Sequence, residues 1–185
     1  MLLLMLASLL SQETEDYFPL KPGMAWEFEN ADGKTETKSV GDVKKIGDRE
    51  YRLVRNALVG TPPERDIPAV VSAGGVTLFD EHDQVDVCWL KLPAKPGAEW
   101  THKSRVGRLA MTLSGEEEIE VPAGKYKALK VVADLEVNGA KGRMTIWYAK
   151  GVGEVRSDLV LTIRQEERRW SRRLRKVETP PAREN

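Results

Sequence analysis

One local cluster of metal-type ligands stands out in the chain: Asp80-Glu81-His82-Asp83, with Asp86 close behind. A hard cation such as Ca²⁺ takes about six to eight oxygens from a tightly turning loop that contains glycine. This four-residue segment offers neither the ligand count nor the glycine. Zinc is served no better, because His82 has no second histidine in register. The segment reads as a solvated hairpin turn, and neither a metal nor a cofactor is implied. Hydrolysis by paired acids would need two carboxyl groups about 5 to 10 Å apart in a cleft. The candidates are Asp80, Glu81, Asp83, Asp86, Glu116 and Glu118, and their spacing does not pair them. His102 follows Trp100 among charged neighbours, and no Ser or Cys stands in a nucleophile-elbow setting to complete a triad. Gly151-Val152-Gly153 lacks the third glycine and the following helix of a dinucleotide site, which leaves a tight turn or bulge. Cys88 lies in the run Val85 to Leu90 and reads as a small buried residue; as the single cysteine it cannot form an intramolecular disulfide. The sequence therefore marks no catalytic site, and the expectation is a protein that is not an enzyme.

Tryptophan is the remaining residue type with binding chemistry, and five Trp against three Phe is an uneven usage. Two of the five close a duplicated motif. Phe18-Pro19-Leu20-Lys21-Pro22-Gly23-Met24-Ala25-Trp26 matches Leu92-Pro93-Ala94-Lys95-Pro96-Gly97-Ala98-Glu99-Trp100 at Pro, Lys, Pro, Gly and Trp. Pro supplies the fixed φ of a turn's second position and Gly the positive φ of its third, so the motif reverses the chain cheaply and delivers Trp to a strand start. There the large ring plugs one end of a sheet's core, and at a rim it can also stack on a ligand. Trp26, Trp100 and Trp147 are the candidate ligand-lining residues.

The elements that would position these rings are strands. Beyond the first residues the chain shows short alternating runs separated by Gly, Pro, Asn and Asp, with almost no sustained helical period. Trp26 to Glu29 alternates, Asp32-Gly33 turns, and the next run lasts from Thr35 to Ile46. Further runs cover Tyr51 to Val54, Ala69 to Val71, Val76 to Phe79, Val85 to Leu92, Trp100 to Val106, Leu109 to Val121, Tyr126 to Val137 and Met144 to Tyr148. Thr61-Pro62-Pro63-Glu64 must be a loop, since two prolines remove two ladder donors. The last third has two readings. Ile163, Glu167, Trp170, Leu174 and Val177 recur at helical spacing, whereas Trp170, Arg172, Leu174 and Lys176 share one face of an extended chain, whose basic residues would guard a sheet edge. The favoured reading is a hairpin of two strands. The expected fold is all-β: one domain over residues 16–177, in halves of about 17–90 and 91–177, forming a strongly curved antiparallel sheet or half-barrel of about 10–12 strands. A tail follows over 178–185.

The stretch Glu120-Val121-Pro122-Ala123-Gly124-Lys125-Tyr126, followed by Ile146-Trp147-Tyr148-Ala149-Lys150-Gly151-Val152-Gly153, together with the opening Tyr17 to Trp26, resembles the exported bacterial β proteins of unknown function called TapB-like. The resemblance spans almost all of the chain after its first residues. It implies a curved antiparallel sheet or half-barrel in the cell envelope, loosely akin to the LolA-like carrier shape, and brings no catalytic residues with it. The basic run from Arg164 to Lys176 departs from that pattern.

Composition narrows the partners. The 29 basic and 29 acidic residues cancel, so no global field draws in nucleic acid. Glu116-Glu117-Glu118 reads as a solvated face. The cluster Arg168, Arg169, Arg172, Arg173, Arg175 and Lys176 could meet an anionic partner, although Glu166, Glu167 and Glu178 dilute it. Residues 1–15 begin with an apolar run too short to cross a bilayer, which reads as the core of a secretory signal and points to export to the periplasm or cell surface. The functional expectation is an envelope protein with two variants. A carrier would shelter an apolar ligand on a partly unfilled concave face, and a docking module would fill that face with its own side chains. The competing class is an envelope hydrolase acting through the carboxylates named above.

Overall fold

The structure is a computed structural model that describes residues 17–56, 58–59 and 65–179. Twelve antiparallel strands form one sheet: β1 (Ala25–Asn30), β2 (Thr35–Ile46), β3 (Arg49–Arg55), β4 (Asp66–Ser72), β5 (Gly75–Asp80), β6 (Val85–Lys91), β7 (Glu99–Ser104), β8 (Gly107–Val121), β9 (Gly124–Val137), β10 (Ala140–Ala149), β11 (Gly153–Ile163) and β12 (Glu166–Glu178). Their order is β6-β5-β4-β3-β2-β1-β12-β11-β10-β9-β8-β7. Two meanders, β1 to β6 and β7 to β12, are therefore joined where β1 pairs with β12, and the sheet curls into a nearly closed barrel whose two free edges are β6 and β7. The all-β, single-domain expectation holds.

The duplicated motif builds the same device twice. In the first half Met24 N donates to Lys21 O (3.1 Å), Gly23 N to Val40 O (3.0 Å) and Val40 N to Met24 O (2.9 Å). In the second, Ala98 N donates to Lys95 O (3.0 Å), Gly97 N to Leu113 O (2.7 Å) and Leu113 N to Ala98 O (2.9 Å). Gly23 and Gly97 have φ of 77° and 81°, as the third position of a Pro-Gly turn of this kind requires. Each Trp is then the second residue of its strand. The likeness continues past the turn, because β2 is bulged between Val40 and Val43 and β8 between Leu113 and Gly115. Bulges sharpen the local twist, which helps curl each meander over its own inner face.

Alternation along the strands sends one set of side chains inward. The main core gathers Val54, Ala69, Val76, Leu78, Trp89, Met111, Leu113, Val131, Ile146 and Tyr148. A second cluster contains Trp26, Phe28, Val40, Val121, Trp147, Val155 and Leu174. Its closure depends on the long β8–β9 hairpin, which outreaches the β10–β11 hairpin beside it. Ala123 N at its turn donates to Leu174 O of β12 (2.9 Å), a carbonyl beyond the end of the β11 ladder.

The last third is a hairpin, and the helical alternative falls. Its turn carries Arg164 and Gln165 at φ of 51° and 70°, a left-handed pair that glycine or asparagine usually supplies, so the turn is hard to see in the sequence. The expectation of a guarded edge is corrected. β12 is an inner strand between β1 and β11, because the second meander must close onto the first. Four exposed cations of β12, Arg168, Arg169, Arg175 and Lys176, meet acids of their own or a neighbouring strand, as in Arg169 with Glu167 (2.6 Å) and Lys176 with Glu178 (2.7 Å).

A Cβ added at Gly97 meets nothing within 4 Å, so Gly97→Ala tests backbone conformation alone. The left-handed penalty predicts a loss of roughly 1–2 kcal/mol in urea unfolding. A neutral result would show that the turn is not needed to start β7.

Candidate functional site

Antiparallel order puts the β3–β4 connection and the β5–β6, β7–β8 and β9–β10 turns at one end of the barrel. A cavity of about 520 Å³ opens there. Its apolar lining is Leu58, Ile67, Pro68, Leu78, Phe79, Val87, Trp89 and Val106. Arg65, Asp66, Asp80, Glu81, His82 and Asn138 supply its polar lining. Trp89 is held by a hydrogen bond from its Nε1 to the Tyr148 hydroxyl (2.9 Å). Burial, with the nearby Glu154 charge, pushes the Tyr148 phenol far above its ordinary range, so the hydroxyl stays neutral at any physiological pH.

Further into the barrel lies a cluster of buried charge. Arg172 on β12 is fully buried and makes a two-point contact with Glu154 on β11: Nε to Oε1 at 2.7 Å and Nη2 to Oε2 at 2.8 Å. Lys38 on β2 donates from Nζ to Glu154 Oε2 (3.1 Å), and Ser157 donates from Oγ to Oε1 (2.6 Å). Arg172 Nη1 also reaches Asn56 O (3.1 Å), at the end of β3, and lies 3.4 Å from the half-buried Glu36. Aromatic faces complete the shell, with Lys38 over Phe18 and Trp26 and Arg172 over Phe28. Burial alone would raise the Glu154 carboxyl, but Arg172 and Lys38 outweigh it and hold the group down at about 2. Burial lowers Lys38, and Arg172 pushes the same way against the pull of Glu154. Such a network is saturated by its own members and is a fastening, since a bare charge here would be left without solvent or partner.

The three tryptophans expected to line a ligand site are placed separately. Trp26 is almost fully buried and donates from Nε1 to Val152 O (2.6 Å), at the closed end of the barrel. Trp100 donates to Cys88 O (2.9 Å) across the gap between β7 and β6. Trp147 donates to Glu117 Oε1 (2.5 Å), with Arg156 and Lys130 against its ring. None of them borders the mouth cavity; Trp89 does. Trp89 was not among the residues that the sequence singled out; it sits where the β5–β6 register shifts. Lys38 and Glu154 were not singled out by the sequence, and Arg172 was read with Trp170 and Leu174 on a face that residue type assigned to an edge.

Five of the six carboxylates considered for hydrolysis divide between turn and ion pairs, and among the described residues the exposed Glu118 of β8 joins neither. Asp80 and Glu81 reach the cavity rim, where Asp80 Oδ1 accepts from His82 N (2.8 Å) and Glu81 meets Lys44 (2.6 Å). Asp83 binds Arg105 and Asp86 takes Arg49 and Tyr51, while Glu116 takes Lys127 and Tyr17. The bonds from Arg105 hold Asp83 below the usual carboxylate range, and those from Lys127 and Tyr17 do the same for Glu116. Cys88 is half-buried, and burial raises its thiol.

Neither a protein-family model nor a curated protein matches the sequence. Solved structures do resemble the fold. A candidate exported protein of Bacteroides fragilis with a YmcC-like fold superposes with a TM-score of 0.53 at 16% identity, covering 88% of this chain and 99% of its own. A candidate lipoprotein of Parabacteroides distasonis gives 0.47 at 17% identity over 88% and 98%. The hypothetical lipoprotein YmcC of Escherichia coli gives 0.40 at 12% identity over 96% and 95%. The first of these shows a shared fold. Among the described residues no helix is long and apolar enough to cross a membrane.

Two substitutions separate the roles within the ion cluster. Glu154→Gln leaves Arg172 and Lys38 buried without their anion and should cost about 3–5 kcal/mol, whereas Lys38→Met keeps the two-point Arg172 contact and should cost under about 1.5 kcal/mol. Because the folded carboxyl at about 2 lies below its ordinary value of 4.5, its stabilisation is complete above the latter and lost as pH falls toward the former. Urea unfolding of the parent should therefore weaken across that window, and Glu154→Gln should flatten this part of the profile. Equal costs for the two variants would contradict the assignment.

Proposed function

We propose that this protein is a non-enzymatic component of the bacterial cell envelope that holds an apolar small molecule in the cavity at the barrel mouth. The observation that carries the reading is the cavity itself. Its volume falls within the roughly 300–1,000 Å³ of small-molecule sites, and eight of its fourteen lining residues are aliphatic, aromatic or proline. The inner face below the mouth is filled by the main core, so the unfilled space that a carrier needs is this cavity alone. The acids nearest the cavity support a binding role over hydrolysis, since Asp80 caps its own turn and Glu81 is paired with Lys44. The envelope placement is supported by the signal-like opening, by the resemblance to the TapB-like proteins, and by the fold shared with a protein described as exported.

The neutral fluorescent probe N-phenyl-1-naphthylamine tests the reading directly. It should brighten on binding the parent protein. Ile67→Trp and Val106→Trp, which fill the wall from partly exposed positions, should each weaken it by about tenfold or more. Trp147→Phe, away from the cavity, should leave it unchanged. A probe that fails to bind, or that ignores both filling substitutions, would overturn the cavity as the site.

A further inference from the structure

The duplication creates two junctions between the halves, and they are counterparts: β1 against β12, and β7 against β6. At the first, the backbones pair from Ala25↔Glu178 to Asn30↔Arg172. At the second no backbone hydrogen bond joins the strands, and side chains span the gap. Trp100 Nε1 donates to Cys88 O (2.9 Å) near one end. At the other, Arg105 donates from N and Nε to Asp83 (3.0 and 2.7 Å) and from Nη2 to His82 O (2.7 Å). The indole of Trp26 turns away to Val152 O, leaving β1 free to ladder with β12, whereas that of Trp100 takes up a carbonyl on the facing strand.

This junction is poorly fastened. The Arg105 side chain is 70% exposed against 9% for Asp83, so water screens the pair from the Arg105 side, and the junction rests on side-chain contacts with no backbone ladder behind them. On β7 between the two bridges, the buried His102 Nε2 has no hydrogen-bond partner among the atoms of the described residues, so His102 does not fasten the junction. The mouth cavity abuts the same junction, with Val87 and Trp89 contributed by β6 and Val106 by the turn that follows β7.

We infer that β6 and β7 part to extend the mouth cavity along the junction, so that the protein takes up a ligand with one long unbranched acyl chain lengthwise between the two edges. This rests on the reading of the cavity as an apolar-ligand site. A short chain fits the mouth as it stands, whereas a long one binds only the opened form, and its apparent affinity is reduced by the small fraction of molecules open at any time. Loosening the junction should raise that fraction and favour long chains alone.

The test uses lysophosphatidylcholines with C10 and C16 chains, kept below their micellar concentrations, displacing N-phenyl-1-naphthylamine from the full chain. Arg105→Ala removes an exposed clasp, and Trp100→Phe removes one hydrogen bond while keeping a ring, so both variants should fold. Each should tighten C16 binding several-fold and leave C10 unchanged, with larger gains in the double variant. Affinities for both chains that stay fixed, or rise together, would overturn the inference while leaving the cavity reading intact. If the parent binds neither the probe nor either lipid, the cavity reading fails and the inference falls with it.

Discussion

The contact of Arg172 with Glu154, joined by Lys38, is the interaction on which the rest of the barrel depends. Lys38, Glu36 and Asn56 come from the first meander, and Glu154, Ser157 and Arg172 from the second. The cluster therefore spans the β1–β12 junction from the inside. Charges this far from water are tolerated only when each finds its partners, so the cluster demands one relative placement of the halves and penalises every other. Hydrophobic packing around it, including Phe28, Val54, Val155 and Leu174, is tight but would accept small slips that the ion contacts do not.

That fixed junction explains why the other can be loose. A barrel of two similar meanders needs both junctions to close fully, and here one carries a backbone ladder with a buried ion cluster while its counterpart has side-chain bridges. The asymmetry is written in the two copies of one motif. Both deliver a tryptophan by the same turn, yet Trp26 seals the closed end of the barrel and Trp100 reaches over an unpaired edge. The mouth cavity lies on the loose side, bordered by β6 and by the turn after β7.

The strands and the duplication were legible because both rest on local rules. Alternation, Pro-Gly turns and Asn-Gly or Asp-Gly separators mark short-range structure, and the hydrogen bonds around Gly23 and Gly97 repeat as the motif does. Arg172 shows where that legibility stops. Its alternation with Trp170 and Leu174 put it on one face of a strand, but whether that face was a guarded edge or the barrel interior depended on where β12 sits among strands far away in sequence. Residue type argued for the edge, and topology decided for the interior. The cavity was hidden for the same reason: Ile67, Leu78, Trp89 and Val106 converge only after curvature and closure, which no local window reports. Arg164-Gln165 hid only the turn of the hairpin that alternation had favoured, by taking left-handed angles that residues of their type seldom adopt.

Native-state hydrogen exchange read at single amides compares the two junctions within one molecule. The amides of β1 and β12 facing each other should exchange only through global unfolding, whereas the facing edges of β6 and β7, which carry no ladder bond, should exchange at least a hundredfold faster, a gap of about 2.8 kcal/mol or more. Equal protection at the two junctions would contradict it.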